Sequence, residues 1–241
     1  MITLSAVTWV DKIYQSFYRA LIPEERYLSY LKGLKVTLQI SLFAVILGVL
    51  IGIMVAVVKV SAKSSKNILL KIISKICGVY VTVIRGTPVI VQLLIIYNMI
   101  FTSRDSNPLM AASLCFGINS GAYVSEIVRA GIESIDKGQM EAGRSLGFTA
   151  WQTMRYIILP QAIKNILPAL GNEFIVLVKE TSVASYIAVS DLTQIANFIG
   201  GRTYDVLPPL IIAAAIYLII VLILSKGLEL LERRLGKSDH H

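Results

Sequence analysis

Charged residues are scarce in this chain, and their scarcity is the first guide to its class. Only 16% of its 241 residues are charged, whereas a soluble domain carries about 25%. By contrast, 55% of the residues are hydrophobic and the mean hydropathy is +0.70. Apolar stretches with so few charges indicate that lipid is the solvent. We therefore expect an integral membrane protein.

Cysteine is nearly absent, and acidic residues are outnumbered by basic ones. Cys77 and Cys115 both lie in apolar segments, so we expect no structural disulfide. The net charge of +8 is typical of bases gathered on one side of a membrane, so we expect no nucleic-acid partner. We expect no cleavable signal peptide, because the first apolar run comes late and is too long. We expect no metal site either, since His240 and His241 form a terminal pair.

Five segments are long enough to cross a bilayer as helices, each needing about 20 residues. Two of them carry no charge, and the other three contain polar or helix-breaking residues. The segments are residues 36–58, 76–101, 109–132, 157–178 and 208–224. The sequence therefore predicts an all-α membrane protein with five transmembrane helices.

Lysine and arginine in the loops predict the orientation, because cytoplasmic loops are enriched in both. The first and third loops are rich in bases, whereas the second and fourth carry only Arg104 and Arg202 as clear loop bases. The bases of the first and third loops are Lys59, Lys63, Lys66, Lys71, Lys75, Arg129, Lys137, Arg144 and Arg155. We therefore place these two loops and the C-terminus inside and the N-terminus outside.

Three regions follow from this pattern. Residues 1–29 alternate apolar residues such as Trp9, Ile13 and Phe17 with charges, which predicts an amphipathic helix at the membrane surface. The bases of this region are discordant with an outside position. Residues 30–235 form the transmembrane domain, and residues 236–241 form a polar tail that is a candidate tag remnant.

The second segment is interrupted by Arg85, Gly86, Thr87 and Pro88. Proline removes a backbone donor, and lipid cannot satisfy the freed polar groups, so the break must face protein or a wet cavity. One interpretation is a kink beside the cytoplasmic face with a snorkelling Arg85. We favour the other, a gate or pore-lining element.

Polar residues also mark the third and fourth segments. Glu126 and Arg129 share a helix face at i and i+3, which favours an ion pair somewhat over substrate contact. The fourth segment contains Pro160, Lys164, Asn165, Pro168, Asn172 and Glu173. No lipid-facing helix tolerates such a set, so we expect the middle three segments to surround something polar. Small-residue pairs at 117/121 and 48/52 predict close helix contacts.

The third loop predicts a short surface helix that docks another protein. Small residues Ala142 and Gly143 leave a bare surface, Glu141 supplies a charge, and Gly147 ends the helix in the left-handed conformation. Gly138 to Ser145 nearly matches a P-loop, but arginine replaces the lysine and no strand precedes it. We therefore expect nucleotide to bind another subunit.

This loop resembles that of the permease subunits of ATP-binding-cassette importers. In that family the loop has the form EAA, three residues, G, nine residues, then I-x-LP, and all these spacings occur here. The departure is Gly143 in place of the second alanine, which we expect to affect only affinity. Residues 85–92, 121–131 and 179–182 look like the polar amino-acid branch, and the resemblance covers roughly residues 30–235.

The resemblance implies a type I importer fold in the bacterial inner membrane, with a second permease copy, identical or homologous. It implies two ATPase subunits, which hold the ATP and magnesium, and an extracytoplasmic binding protein. This chain would then be no enzyme and would bind no cofactor. Its coupling residues would be Glu141, Ala142, Gly143, Ser145, Leu146 and Gly147.

Five polar residues are the candidates for a central substrate path: Asn98, Glu126, Glu180, Thr181 and Ser185. Glu180 suits an ammonium or cationic group, although it could instead pair with Lys179 or cap a helix. We expect polar substrates, with arginine, histidine and lysine favoured over glutamine. The alternative function is a stand-alone secondary transporter or channel, which also uses broken helices.

Overall fold

A computed structural model describes residues 2–101 and 107–236 of the chain; for residues 2–7, 64 and 235–236 it describes the backbone alone. Within these ranges every regular element is helical. The helices are α1 (Ile2–Leu21), α2 (Arg26–Ser64), α3 (Ile68–Gly86), α4 (Val89–Ile100), α5 (Pro108–Glu133), α6 (Lys137–Ser145), α7 (Ala150–Thr153), α8 (Leu159–Glu180), α9 (Leu192–Thr203) and α10 (Leu207–Gly236). The prediction of an all-α fold is confirmed for this part of the chain.

Two of the described helices are long and apolar enough to cross a membrane, or three if the bent pair α3 and α4 counts as one span. Predicted segments 36–58 and 208–224 lie inside α2 and α10, and segments 109–132 and 157–178 correspond to α5 and to α8 with the turn before it. Helix α5 is mostly buried and contains buried Asn119, Ser120 and Ser125. Length and composition alone do not identify such a polar, central helix as a membrane span. The count of five and the orientation therefore stay predictions.

Glycines bring α2 and α5 into close contact at the centre of the fold. A Cβ on Gly48 would lie 2.7 Å from Ser120 Oγ, and one on Gly117 would lie 2.5 Å from Leu47 Cδ2. Both distances are too short for a real Cβ, so only glycine allows the two backbones to approach this closely. The predicted small-residue contacts are confirmed. Gly48 and Gly52 of α2 pack against α5, and Gly117 and Gly121 of α5 pack against α2.

The second predicted segment needs correction. Helix α3 begins at Ile68, eight residues before the predicted start, and the chain bends by 110° between Gly86 and Val89. Arg85 lies about 26 Å along the helix from Ile68, at a rise of about 1.5 Å per residue. The break is therefore far along α3 from the lysine-rich loop, and both interpretations of it, the kink near the cytoplasmic face and the gate or pore-lining element, stay predictions.

The N-terminal region is helical, as predicted. Helix α1 ends at Leu21, and a turn with left-handed Glu24 and Glu25 (φ 57° and 52°) leads into α2 at Arg26, before the expected boundary at residue 29. An ion pair of 2.8 Å between Arg202 and Glu24 ties this turn to α9. The predictions for Arg104 and for the tail beyond residue 236, including the terminal histidines, lie outside the described residues.

Candidate functional site

One side chain holds the break between α3 and α4. The Nε2 of Gln92 donates to the carbonyl oxygens of Ile84 and Thr87, at 2.8 and 3.0 Å, and lies 2.8 Å from Thr87 Oγ1. Its Oε1 accepts a hydrogen bond of 2.9 Å from Asn119 Nδ2 on α5. The polar groups of the break are therefore satisfied by protein, as the physics of lipid requires. The predicted site does not include Gln92, although it is the first amide after Pro88.

The break also carries an exposed cation. The guanidinium of Arg85 lies 5.2 Å from the ring centroid of Tyr123 on α5, within the range of a cation–π contact. Gly86 has open space around the position of a Cβ, so packing within this subunit does not require glycine there. Thr87 donates its hydroxyl to the carbonyl of Val83 at 2.8 Å. The role of these residues as a gate stays a prediction.

Glu126 is engaged by two cations rather than presented to a substrate. Its Oε1 lies 2.7 Å from Lys59 Nζ on α2, and its Oε2 lies 2.6 Å from Arg129 Nη2. The predicted i,i+3 ion pair is confirmed, and Lys59 is an additional partner 67 residues away in sequence. Of the two interpretations of Glu126, the structure shows the ion pair, and contact with substrate stays a prediction.

The same network continues at the end of α5. Arg129 also bonds Glu133 at 2.5 Å, and Glu133 pairs with Lys63 of α2. The hydrogen bond from Lys63 and the nearby Arg129 charge lower the pKa of Glu133. Two helices that already pack closely through glycines are thus also joined by charge at this end.

The remaining candidates of the substrate path differ in exposure and in the hydrogen bonds that they make. Thr181 is 0% exposed and bonds the carbonyl of Val178, so its assignment to a substrate contact is wrong for this conformation. Asn98 is exposed but donates to Leu94 of its own helix at 2.7 Å. Glu180 is partly buried in the last turn of α8. A shared substrate path through these three positions stays a prediction.

Ser185 is the candidate that lines a cavity. It donates to the carbonyl of Ser182 at 2.9 Å, and both serines border an open cavity of about 370 Å³. Thr193, Gln194 and Asn197 of α9 complete its polar lining. These α9 residues are missing from the predicted site because no pattern in the sequence places α9 beside the end of α8.

A second acidic residue on α8 is also missing from the predicted site. Glu173 is partly buried and accepts a hydrogen bond of 2.8 Å from Ser120 Oγ on α5. It precedes Glu180 by seven residues, so the two carboxylates lie on the same face of α8. Charge in the middle of a predicted span is the signal that identifies such a residue.

The predicted docking helix is present as α6. Asp136 caps its start by accepting from Gly138 N at 2.6 Å. At its end, Gly147 N donates to Arg144 O and Phe148 N donates to Gly143 O, both at 3.1 Å. Gly147 has a φ of +89°, so the predicted left-handed end is confirmed.

The exposed face of α6 differs from the predicted one. Gly143 is buried, and a Cβ on it would lie 2.5 Å from Cγ2 of Thr153, so the bare surface predicted there is wrong. Gly143 instead permits α6 to pack against the helix that follows. Glu141, Ala142, Ser145 and Leu146 are exposed, and Leu146 has 78% of its surface free. The surface available to a partner therefore carries the carboxylate of Glu141 near the middle of α6 and the apolar side chain of Leu146 just past its end.

Comparison with known proteins decides the family. Residues 48–237 match the model of the family described as binding-protein-dependent transport system inner membrane components. The chain belongs to this family. It is therefore a membrane-embedded subunit of a transport system, not an enzyme, and such subunits work with an ATPase subunit and a binding protein.

Individual relatives agree with the family. The arginine transport system permease protein ArtQ of Bacillus subtilis is 39% identical over an alignment of 236 positions that covers 92% of this chain and 98% of the relative. The glutamine transport system permease protein GlnP of Escherichia coli K12 is 44% identical over 160 residues, 65% of this chain and 73% of the relative. A crystal structure of an amino acid ABC transporter with histidines is 48% identical, with a TM-score of 0.79 over 86% of this chain and 94% of that chain.

Proposed function

We propose that this chain is the membrane-spanning subunit of an ATP-driven importer of polar amino acids, with basic amino acids preferred. Its relatives include permeases named for arginine and glutamine, and a similar structure is named for histidines. The carboxylates of Glu173 and Glu180 on one face of α8 favour a cationic side chain or an ammonium group over a neutral amide. The substrate contacts remain part of the proposal.

The proposed mechanism rests on the shape and exposure of helix α6. It is short, capped at both ends and exposed along Glu141, Ala142 and Leu146, while Gly143 anchors it to the following helix. A partner that grips the exposed face would therefore move α8 with it. We infer that α6 is the coupling helix, and that ATP and magnesium bind the ATPase rather than this chain.

The assembly is proposed as two permease copies on two ATPases, in a bacterial inner membrane. Each copy would cross the membrane five times, with the loops after α2 and α5 inside. The bases of these loops support that orientation. The exposed Arg85 at the α3–α4 break is then a candidate gate residue between copies.

Reconstitution in vesicles tests the proposal. The complex of permease, ATPase and binding protein should accumulate labelled arginine, histidine or lysine when ATP is inside, with glutamine taken up less well. The permease alone should move none of them. Uptake by the permease alone would support the alternative of a secondary transporter and would refute ATP-driven import.

A variant on α6 tests the coupling role. Glu141→Lys reverses an exposed charge without touching the packing of Gly143, so uptake should fall about tenfold or more while folding is unchanged. Lys137→Glu, at the first position of the same helix, is the matched charge reversal. Equal uptake by wild type and Glu141→Lys would contradict the assigned docking face.

A further inference from the structure

A second candidate site lies at the basic end of α2, α3 and α5. A cavity of about 250 Å³ opens between these helices and is lined by Lys59, Ala62, Lys63, Lys71, Ser74 and Arg129. Four of the six lining residues are cations. Such a concentration of positive charge around one small cavity favours the binding of an anion.

The carboxylates beside the cavity neutralise only part of this charge. Glu126 pairs with Lys59 and Arg129, and Glu133 pairs with Lys63 and Arg129. Two acids against four cations leave an excess of two positive charges. Among the described residues, Lys71 has no ion pair within 4.0 Å, so its ammonium is the cation most available to a ligand.

The position of the cavity indicates where the anion comes from. The uncharged run of α2 ends at Val58, directly before Lys59, so the cavity lies where hydrocarbon gives way to headgroups. Ile68, Leu69 and Ile72, in the first turns of α3 beside Lys71, are exposed apolar side chains. A ligand with a phosphate and acyl chains would fit both the basic cavity and the apolar side chains of α3. Basic pockets between membrane helices bind anionic lipid headgroups in this way.

We propose that this cavity binds the phosphate headgroup of an anionic phospholipid. The lipid would complete the ion-pair network that joins α2 to α5, with Lys71 and the hydroxyl of Ser74 as its contacts on α3. The bound lipid would thus tie α3 to the other two helices. The proposal is independent of which amino acid is transported, because it concerns lipid binding alone.

Native mass spectrometry of the purified permease–ATPase complex in detergent tests the site. Titration with phosphatidylglycerol should give a retained lipid, and phosphatidylcholine at the same concentration should not. Lys71→Gln should weaken phosphatidylglycerol binding about fivefold, the effect expected for one lysine near the surface. Ser74→Asp should weaken it further by adding a negative charge inside the cavity.

Lys66→Gln is the matched control. Lys66 lies between α2 and α3, close to Lys71 in sequence, and carries the same charge, but it does not line the cavity. Unchanged thermal unfolding of each variant shows that loss of lipid does not reflect loss of fold. An equal effect of Lys66→Gln and Lys71→Gln would mean general attraction to the loop and would overturn the site. Displacement of the lipid by an equal concentration of inorganic phosphate would also overturn it, in favour of a free-anion site.

Discussion

The bonds of Gln92 should be the main support of the α3–α4 break, and their removal should be measurable. Gln92→Ala leaves the carbonyls of Ile84 and Thr87 and the amide of Asn119 without this partner. Asn119 is 4% exposed, so its stranded amide should cost about 1–3 kcal/mol. Thr87 is exposed and water can reach its carbonyl, so the two carbonyls together should add only about 1 kcal/mol. The expected loss is about 2–4 kcal/mol.

Cys115 provides the assay. It lies four residues before Asn119, is 1% exposed and packs in the same apolar cluster as Leu93 of α4. In a Cys77→Ala background it is the single thiol, so the rate of its maleimide labelling in detergent reports opening at the break. A loss of about 2–4 kcal/mol corresponds to labelling that is about 30-fold to about 900-fold faster.

Asn98→Ala is the matched control, because it removes an exposed amide from the same helix, and that amide donates to Leu94 within one turn of the helix. Its cost should stay below about 0.5 kcal/mol, so labelling should change less than about threefold. A double variant, Gln92→Ala with Asn119→Ala, should be less destabilised than the sum of the single variants by about 1 kcal/mol. Labelling of Gln92→Ala at the Asn98→Ala rate would refute the reasoning.

Further predictions concern α6 and the ion-pair network. Gly143→Ala should destabilise the protein by about 1–3 kcal/mol through overpacking against Thr153. Adding Thr153→Ala should recover part of that loss in thermal unfolding, and additive effects would contradict the contact. At Gly147, substitution by Asn should cost less than Ala, and Val should cost most, because only the left-handed backbone opposes these side chains. Similar unfolding temperatures for all three variants would be evidence against strain from the left-handed backbone at residue 147. Glu126→Ala should cost about 1–3 kcal/mol, and combining it with Lys59→Met should cost less than the sum, by chemical unfolding.

The sequence by itself determined the features that depend on neighbours along the chain. The length of the apolar runs predicted α2 and α10. Proline at residue 88 predicted the break, and glycine at residue 147 predicted the left-handed end of α6. The pair of Glu126 and Arg129 was equally readable, since residues three apart share a helix face. Each of these features requires only local geometry.

Tertiary structure alone decided which partners those residues meet. Gln92 reaches Asn119 and Glu126 reaches Lys59 because α4 and α2 pack against α5, and no local spacing encodes that packing. Gly143 faces Thr153 instead of a partner for the same reason. A helix pattern gives a side chain its direction around one axis, but the neighbour in that direction depends on how separate helices cross.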